Sequence, residues 1–221
     1  MPGKRKRAEA TDAEVARRAL EVAGQLMGTN PTRVERAERD RDRSREGVTD
    51  ILEMMEDTEK QDLLVCAAAK GRDAAVEQLL AADVDPDAVG SEALEECHLE
   101  GETALSSCSF YGHMPVLELL LGAGAGVNKA GRTGWRPLHA AADTCQLACV
   151  ERLLQEGAAV NAQNDNGNTA LHYAIYDNNE NMVNILLIAG ADRTLTNRDG
   201  RTAVQTAREC RLSKIVALLQ E

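Results

Sequence analysis

Residues 134–199 read as two lines of equal length, GWRPLHAAADTCQLACVERLLQEGAAVNAQNDN from Gly134 and GNTALHYAIYDNNENMVNILLIAGADRTLTNRD from Gly167. Each line has 33 residues, and Gly134, Leu138, His139, Leu153-Leu154 and Gly157 superpose without a gap on Gly167, Leu171, His172, Leu186-Leu187 and Gly190. A fixed period of this length marks stacked supersecondary units. In each line a polar turn leads into two short apolar segments at helical spacing, and the second glycine closes the outer one. Such a unit cannot bury its apolar face alone; stacking against its neighbours removes that face from water.

The register extends both ways. One period upstream, Gly101 opens GETALSSCSFYGHMPVLELLLGAGAGVNKAGRT, and one period downstream Gly200 opens GRTAVQTARECRLSKIVALLQE. A degenerate unit, DLLVCAAAKGRDAAVEQLLAADVDPDA, fits ahead of these when Leu64, Ala67, Val76 and Leu79-Leu80 match Leu171, Ala174, Val183 and Leu186-Leu187. Its offset from the fourth unit is 107 residues rather than 99, so about eight extra residues fall around Val89 to Glu100.

At RPLHAA (Arg136–Ala141) and TALHYA (Thr169–Ala174), with the Leu-Leu pairs and GAAVN and GADRT turns that follow, the chain resembles the ankyrin-repeat family over roughly residues 60–221. The tetrapeptide decays to TALS at Thr103 and TAVQ at Thr202, as expected of terminal caps that meet solvent on one side. The resemblance implies an all-α solenoid of helix-turn-helix units with β-turn fingers. Units are expected at 60–100 (with the insert), 101–133, 134–166, 167–199 and 200–221.

Composition agrees. Aromatic residues are only 2% of the chain, and alanine and leucine dominate the apolar segments, as closely packed short helices require. Charge is uneven. Residues 1–47 hold 12 basic and 9 acidic groups, while 48–221 hold 13 and 27. An acidic array repels phosphate backbones, so nucleic-acid binding by the array is not expected. The six cysteines (66, 97, 108, 145, 149, 210) form no Cys-x-x-Cys pair and follow no secretory signal, which reads as a reduced intracellular protein. Cys66, Cys108 and Cys210 fall in or beside inner helices, where a small apolar side chain packs well. No apolar run approaches the length of a membrane span.

The N-terminal 1–47 segment opens with Lys4-Arg5-Lys6-Arg7, either a nuclear-import signal or a solvated tail, so the location is expected to be cytoplasmic or nuclear. Thr11 to Glu14 has capping-box spacing, and Val15, Ala19, Val22, Leu26 and Met27 continue an amphipathic helix over about 11–28. Residues 31–46 alternate in charge and form an exposed helix or a linker. Val48 to Met55 brings back apolar residues and suggests a capping helix over 48–59.

Apparent chemistry motifs dissolve on inspection. Asp83-Val-Asp85-Pro-Asp87 begins like a calcium loop, but Ala88 and Leu94 stand where glycine and the bidentate glutamate belong. Gly122-Ala-Gly124-Ala-Gly126 follows a helix, whereas a phosphate cradle precedes one. His139 and His172 occupy the tetrapeptide, where the resemblance implies a structural histidine fixing the turn, and His113 sits at an inter-helix turn. His98 lies in the insert beside Cys97 with nothing to enforce convergence. No nucleophile–base pair, metal site, cofactor or small-molecule substrate is expected, and the chain reads as a non-enzyme. Asn128 and Asn161 resemble the setting in which ankyrin asparagines are hydroxylated; the alternative is that they hydrogen-bond the turn.

The family's contact positions lie before and after the opening glycine and at the end of the inner helix. Carried onto this chain they are Leu99, Glu100, Glu102, Phe110 and Tyr111; Arg132, Thr133, Trp135, Asp143 and Thr144; Asp165, Asn166, Asn168, Tyr176 and Asp177; and Arg198, Asp199 and Arg201. Four of the five aromatic residues fall in this set, where large rings are typical binding anchors. Trp135 is expected to stand off a finger between Arg132 and Arg136, suiting a partner with apolar and acidic groups. The expected function is a protein-binding scaffold; the alternative is a regulatory or substrate-targeting subunit whose N-terminal helix holds a second partner.

Overall fold

A computed structural model describes residues 55–91 and 101–220. The expectations for the 1–47 segment, for most of the insert with Leu99 and Glu100, and for Val48 to Met54 lie outside these residues. Among the described residues ten helices form five antiparallel pairs: α1 Asp57–Ala69 with α2 Asp73–Ala81, α3 Ala104–Tyr111 with α4 Met114–Gly122, α5 Pro137–Asp143 with α6 Leu147–Gln155, α7 Ala170–Tyr176 with α8 Glu180–Ile188, and α9 Ala203–Glu209 with α10 Ser213–Leu218. Odd-numbered helices form an inner layer and even-numbered ones an outer layer, each packing mainly on its partner and its counterparts one unit away. This is the nearest-neighbour stacking that a repeat of this period demands.

The core is a continuous file of repeat positions. Leu105, Leu138 and Leu171 from the inner helices and Leu120, Leu153 and Leu186 from the outer ones are buried. Small residues let the inner helices close up: Ala140, Ala141, Ala142, Ala170 and Ala174 are all buried.

The junction drawn from sequence at residues 59/60 falls inside α1. Asp57–Glu59 make its first turn, Glu56 caps it by accepting from and donating to that turn, and Met55 lies buried in a bend just ahead. The insert departs from a closed neck, where Gly90 donates to Glu102 O at 2.9 Å and accepts from Gly101 N at 2.8 Å. Among the described residues there is no strand, only the isolated bridges Val89–Thr103 and Thr196–Thr202 at fingers.

Backbone handedness explains the repeat's punctuation. The opening glycines Gly101, Gly134, Gly167 and Gly200 all have φ near +70° (73, 68, 72 and 72), a left-handed conformation costly for any residue with a Cβ. Each helix pair also turns through one left-handed residue: Gly71, Gly112, Cys145, Asn178 and Arg211.

Two polar ladders bind neighbouring fingers and neighbouring outer turns. Along the fingers, Arg132 N–H donates to Gly101 O (2.7 Å), Asp165 N–H to Thr133 O (2.9 Å) and Arg198 N–H to Asn166 O (2.9 Å). Behind the outer helices, Asn128 Oδ1 accepts from Ala159 N (2.7 Å) while its amide donates to Gly157 O (3.1 Å). Asn161 does the same to Asp192 N and Gly190 O, at 2.7 and 3.1 Å. In the degenerate unit Asp87 takes this place and accepts from Gly126 N at 2.7 Å. The carboxylates that mimic a calcium loop and the glycines that mimic a phosphate loop are thus two sides of one inter-unit bond.

The histidines tie the start of each inner helix to a later backbone carbonyl. His139 Nδ1 accepts from Arg136 N (3.2 Å), and its Nε2 donates to Ala162 O near the end of its own unit (2.9 Å). His172 repeats this with Thr169 N (3.2 Å) and, in the next unit, Arg201 O (3.3 Å). Burial without an anionic partner depresses both, His139 to about 4. In the decayed tetrapeptides Ser106 N–H donates to Thr103 Oγ1 (3.0 Å), and Gln205 Oε1 accepts from Thr202 N (2.9 Å). The local cap survives there without the histidine.

Of the cysteines, Cys66, Cys108 and Cys149 are buried, but Cys210 at the end of α9 is exposed rather than packed, contrary to the sequence expectation. Burial pushes the Cys108 thiol far up and Cys149 up to about 11.

Candidate protein-binding surface

The ends of the inner helices and the fingers beside them form one continuous surface. Its first register row runs Phe110, Asp143, Tyr176, Glu209, and its second Tyr111, Thr144, Asp177, Cys210. The finger row runs Glu102, Trp135, Asn168, Arg201.

Trp135 does not stand clear of the stack. Its ring is partly buried and meets Tyr173 of the next unit edge-on, with centroids 4.8 Å apart, and His139 lies 6.0 Å away. Tyr173 in turn lies edge-on to Tyr176 at 6.3 Å. The indole therefore begins an aromatic file that crosses from the third unit into the fourth. Tyr173 is its middle member, and it was outside the contact positions read from the sequence. Its hydroxyl accepts from Asn164 Nδ2 at 2.8 Å, and Asn164 Oδ1 accepts from the N–H groups of Asn166 and Asn168, both at 3.0 Å. One buried side chain thus fixes both the finger turn and the ring. Asn197 holds the next finger the same way, with Asp199 N and Arg201 N at 3.0 Å.

The expected arginine patch around the indole is also revised. Arg136 Nη1 donates to Gly134 O (3.3 Å) and Gln163 O (3.1 Å), which binds its charge to the backbone of two fingers. Arg132 is exposed, with its stem packed against Gly101.

Glu102 bends inward. Its Oε2 is buried without a hydrogen-bond partner, and a side chain at Gly131 would collide with it, since a Cβ there lies 2.9 Å from that oxygen and 2.7 Å from Gly101 O. Gly131 replaces the turn-fixing asparagine of the later fingers, and Glu102 uses the space. Desolvation lifts this carboxyl to about 7.

At the helix ends Thr144 turns its hydroxyl into the stack, 2.5 Å from Phe110 O and 3.1 Å from Ala140 O. Phe110 is partly buried, edge-on to Tyr111 at 5.1 Å, and Tyr111 stacks on His113 at 6.1 Å. Tyr111 and Tyr176 keep nearly half their surface in water. Asp143 is partly buried, and burial together with the Asp177 charge raises its carboxyl above the usual range. Asp165, Asn166, Asp177, Arg198 and Asp199 are exposed, Asn168 and Arg201 are partly so, and Thr133 is exposed at the finger tip. Arg201 is paired to Glu209 of its own unit at 3.0 Å and to Asp199, at the end of the unit before, at 3.3 Å.

No group of three or more metal-ligating side chains gathers among the described residues, and none of their helices is long and apolar enough to cross a membrane. A stack of short helix pairs with β-turn fingers, joined by finger hydrogen bonds, defines a helical repeat protein. The family model for ankyrin repeats, in three copies, matches residues 63–164, 110–197 and 138–221, and the chain belongs to that family. Compared with curated proteins one by one, it matches none. Ankyrin repeats generally mediate protein–protein interaction, and proteins built from them are typically binding modules rather than enzymes.

Proposed function

We propose that this chain is a protein-binding scaffold that holds a partner protein on the concave face made by its inner-helix ends and fingers. One observation carries the reading. Tyr111 and Tyr176 are 48% and 46% exposed although each sits on a short helix whose other face is fully packed. Rings held rigidly at a water-exposed surface lose little entropy when covered, which makes them effective anchors. Trp135, Tyr173 and Phe110 extend the apolar floor between them. Charged finger residues, Asp165, Arg198 and Asp199, form a polar rim of the sort that surrounds such anchors.

The test is affinity capture from the native cell with the full chain, its Tyr111→Ala and Tyr176→Ala variants, and an Ile188→Ser control. Ile188 is 87% exposed on the outer layer. Partners released by the two tyrosine variants and kept by the control support the reading. Partners kept by both tyrosine variants and released by the control would move the binding face to the outer helices.

A further inference from the structure

The last unit contains a pairing that the third and fourth lack. In the fifth unit the finger-row residue Arg201 places Nε 3.0 Å from Glu209 Oε1 at the end of the inner helix. One period earlier the finger-row residue is Asn168, and two periods earlier it is Trp135. Carboxylates nevertheless remain at those helix ends. Asp143 closes α5, and Asp177 caps α7. Cys145, two residues beyond Asp143, brings its thiol to 3.5 Å from Asp177 Oδ2 across the junction, and the Asp177 charge acts on the Asp143 carboxyl. Neither meets a lysine or arginine within 4.0 Å among the described residues.

Among the basic residues of the last three units, Arg136 is bound to two carbonyls, Arg201 to Glu209 and Asp199, and Lys214 to Glu180 at 3.2 Å, while the exposed Arg208 and Arg211 flank Cys210 without pairing with either acid. The Asp177 charge adds to burial in raising the Asp143 carboxyl, a repulsion that an incoming cation would relieve. Tyr173, the middle member of the file that joins Trp135 to Tyr176, lies within reach of the Asp143 charge. A shallow recess of about 330 Å³, lined by Asp177, Asn178, Asn179, Glu180 and Asn181, opens next to Asp177. It gives room for a side chain adjoining the cation.

We infer that the patch between Asp143 and Asp177, walled by Trp135, Tyr173 and Tyr176, receives an arginine side chain from an extended segment of the partner. This rests on the concave-face reading above and makes it chemical. A guanidinium is planar, presents five donors, and stacks on aromatic faces while bonding carboxylates at its edge. It would do for Asp143 and Asp177 what Arg201 does for Glu209 inside the chain. An ammonium could bond either acid but could not stack. An acidic segment, which the finger arginines suggested from sequence alone, is repelled by both carboxylates.

The chain has a single tryptophan, so its emission reports on this patch. The full chain is titrated with the blocked pentapeptide acetyl-Ala-Leu-Arg-Leu-Ala-amide and with versions carrying Lys or Glu at the centre. Binding is read by Trp135 fluorescence and by backbone amide shifts. The Arg peptide is expected to bind most tightly, to perturb amides around residues 143–145 and 176–179, and to weaken at high salt. The Asp143→Asn/Asp177→Asn double variant is nearly isosteric and relieves repulsion, so it should stay folded; its Kd should rise roughly tenfold or more, the loss of charged hydrogen bonds. Equal or tighter binding of the Glu peptide, an Arg-peptide affinity indifferent to the double variant, or no response to millimolar Arg peptide would overturn the inference. Cellular capture separates it from the broader reading. Partners lost with Tyr111→Ala and Tyr176→Ala but fully kept by the double variant would sink the arginine site and leave the concave surface standing.

Discussion

Asn164 is the side chain on which the finger and the aromatic file both depend, and replacing it should show this quantitatively. Asn164→Ala removes three hydrogen bonds: two backbone N–H donors at 3.0 Å and the Tyr173 hydroxyl at 2.8 Å. At about 1 kcal/mol net for each, with exposed Asn166 recovering water at its N–H, the expected loss is about 2–3 kcal/mol. For an array of this size that lowers Tm by roughly 5–10 °C. Asn164→Asp is the informative comparison. The carboxylate still accepts from both backbone donors, and the Tyr173 hydroxyl can rotate to donate, so the loss should be about 1 kcal/mol or less. Urea unfolding followed by Trp135 emission and by far-ultraviolet ellipticity measures both variants. Because units are coupled only through neighbours, the two probes should separate in Asn164→Ala, with the indole reporting the weakened junction first. An alanine variant within about 0.5 kcal/mol of the parent, or an aspartate variant as costly as alanine, would refute the assignment of Asn164 as the pivot.

Glu102→Gln should stabilise the chain above pH 7 and converge with the parent below pH 4.5, because the folded carboxyl holds its proton up to about 7 and an ionised group is penalised there; urea midpoints against pH check this. In that variant's background, stability should fall as pH drops from 6.5 through about 4. His139 is neutral in the fold and accepts at Nδ1, which protonation abolishes, while the unfolded chain takes up the proton freely; a flat profile across that window would contradict it. His172 acts in the same direction. Trp135→Ala should now lower stability by about 1–2 kcal/mol as well as weaken partner binding, since the ring has an edge-to-face contact to lose; calorimetry decides whether the fold is affected. Asn128→Ala should cost about 1–2 kcal/mol by freeing Ala159 N and Gly157 O, with exposure limiting the loss; chemical denaturation measures it.

The fold was legible because its determinants recur at one interval. Gly134 and Gly167 share a left-handed turn, His139 and His172 share a tautomer and an Nδ1 cap at the helix start, and the buried leucines share a file. Anything that depends on one repeat alone repeats nowhere and was harder to read. Trp135 was recognisable as a finger residue, but its lean depends on Tyr173 in the next unit, at a position the family's contact pattern passes over. Glu102 was placed correctly in the register, yet its buried oxygen follows from a missing Cβ at Gly131, 29 residues away. Arg136 looked like part of a positive patch because sequence counts charges and does not show the carbonyls that engage them. The opposed carboxylates lie one position out of register, so a column-by-column comparison of repeats never sets Asp143 beside Asp177.

The side-chain clamps behind the outer helices all reach in one direction. Asp87 holds Gly126, Asn128 holds Ala159, and Asn161 holds Asp192, so the gripping group always belongs to the earlier unit. On a ribosome this order coincides with time. When a new helix pair emerges, the acceptor that will seize its turn is already outside the tunnel on a pair that preceded it. Assembly can then proceed like closing a zip from its sewn end, with each tooth waiting for the next.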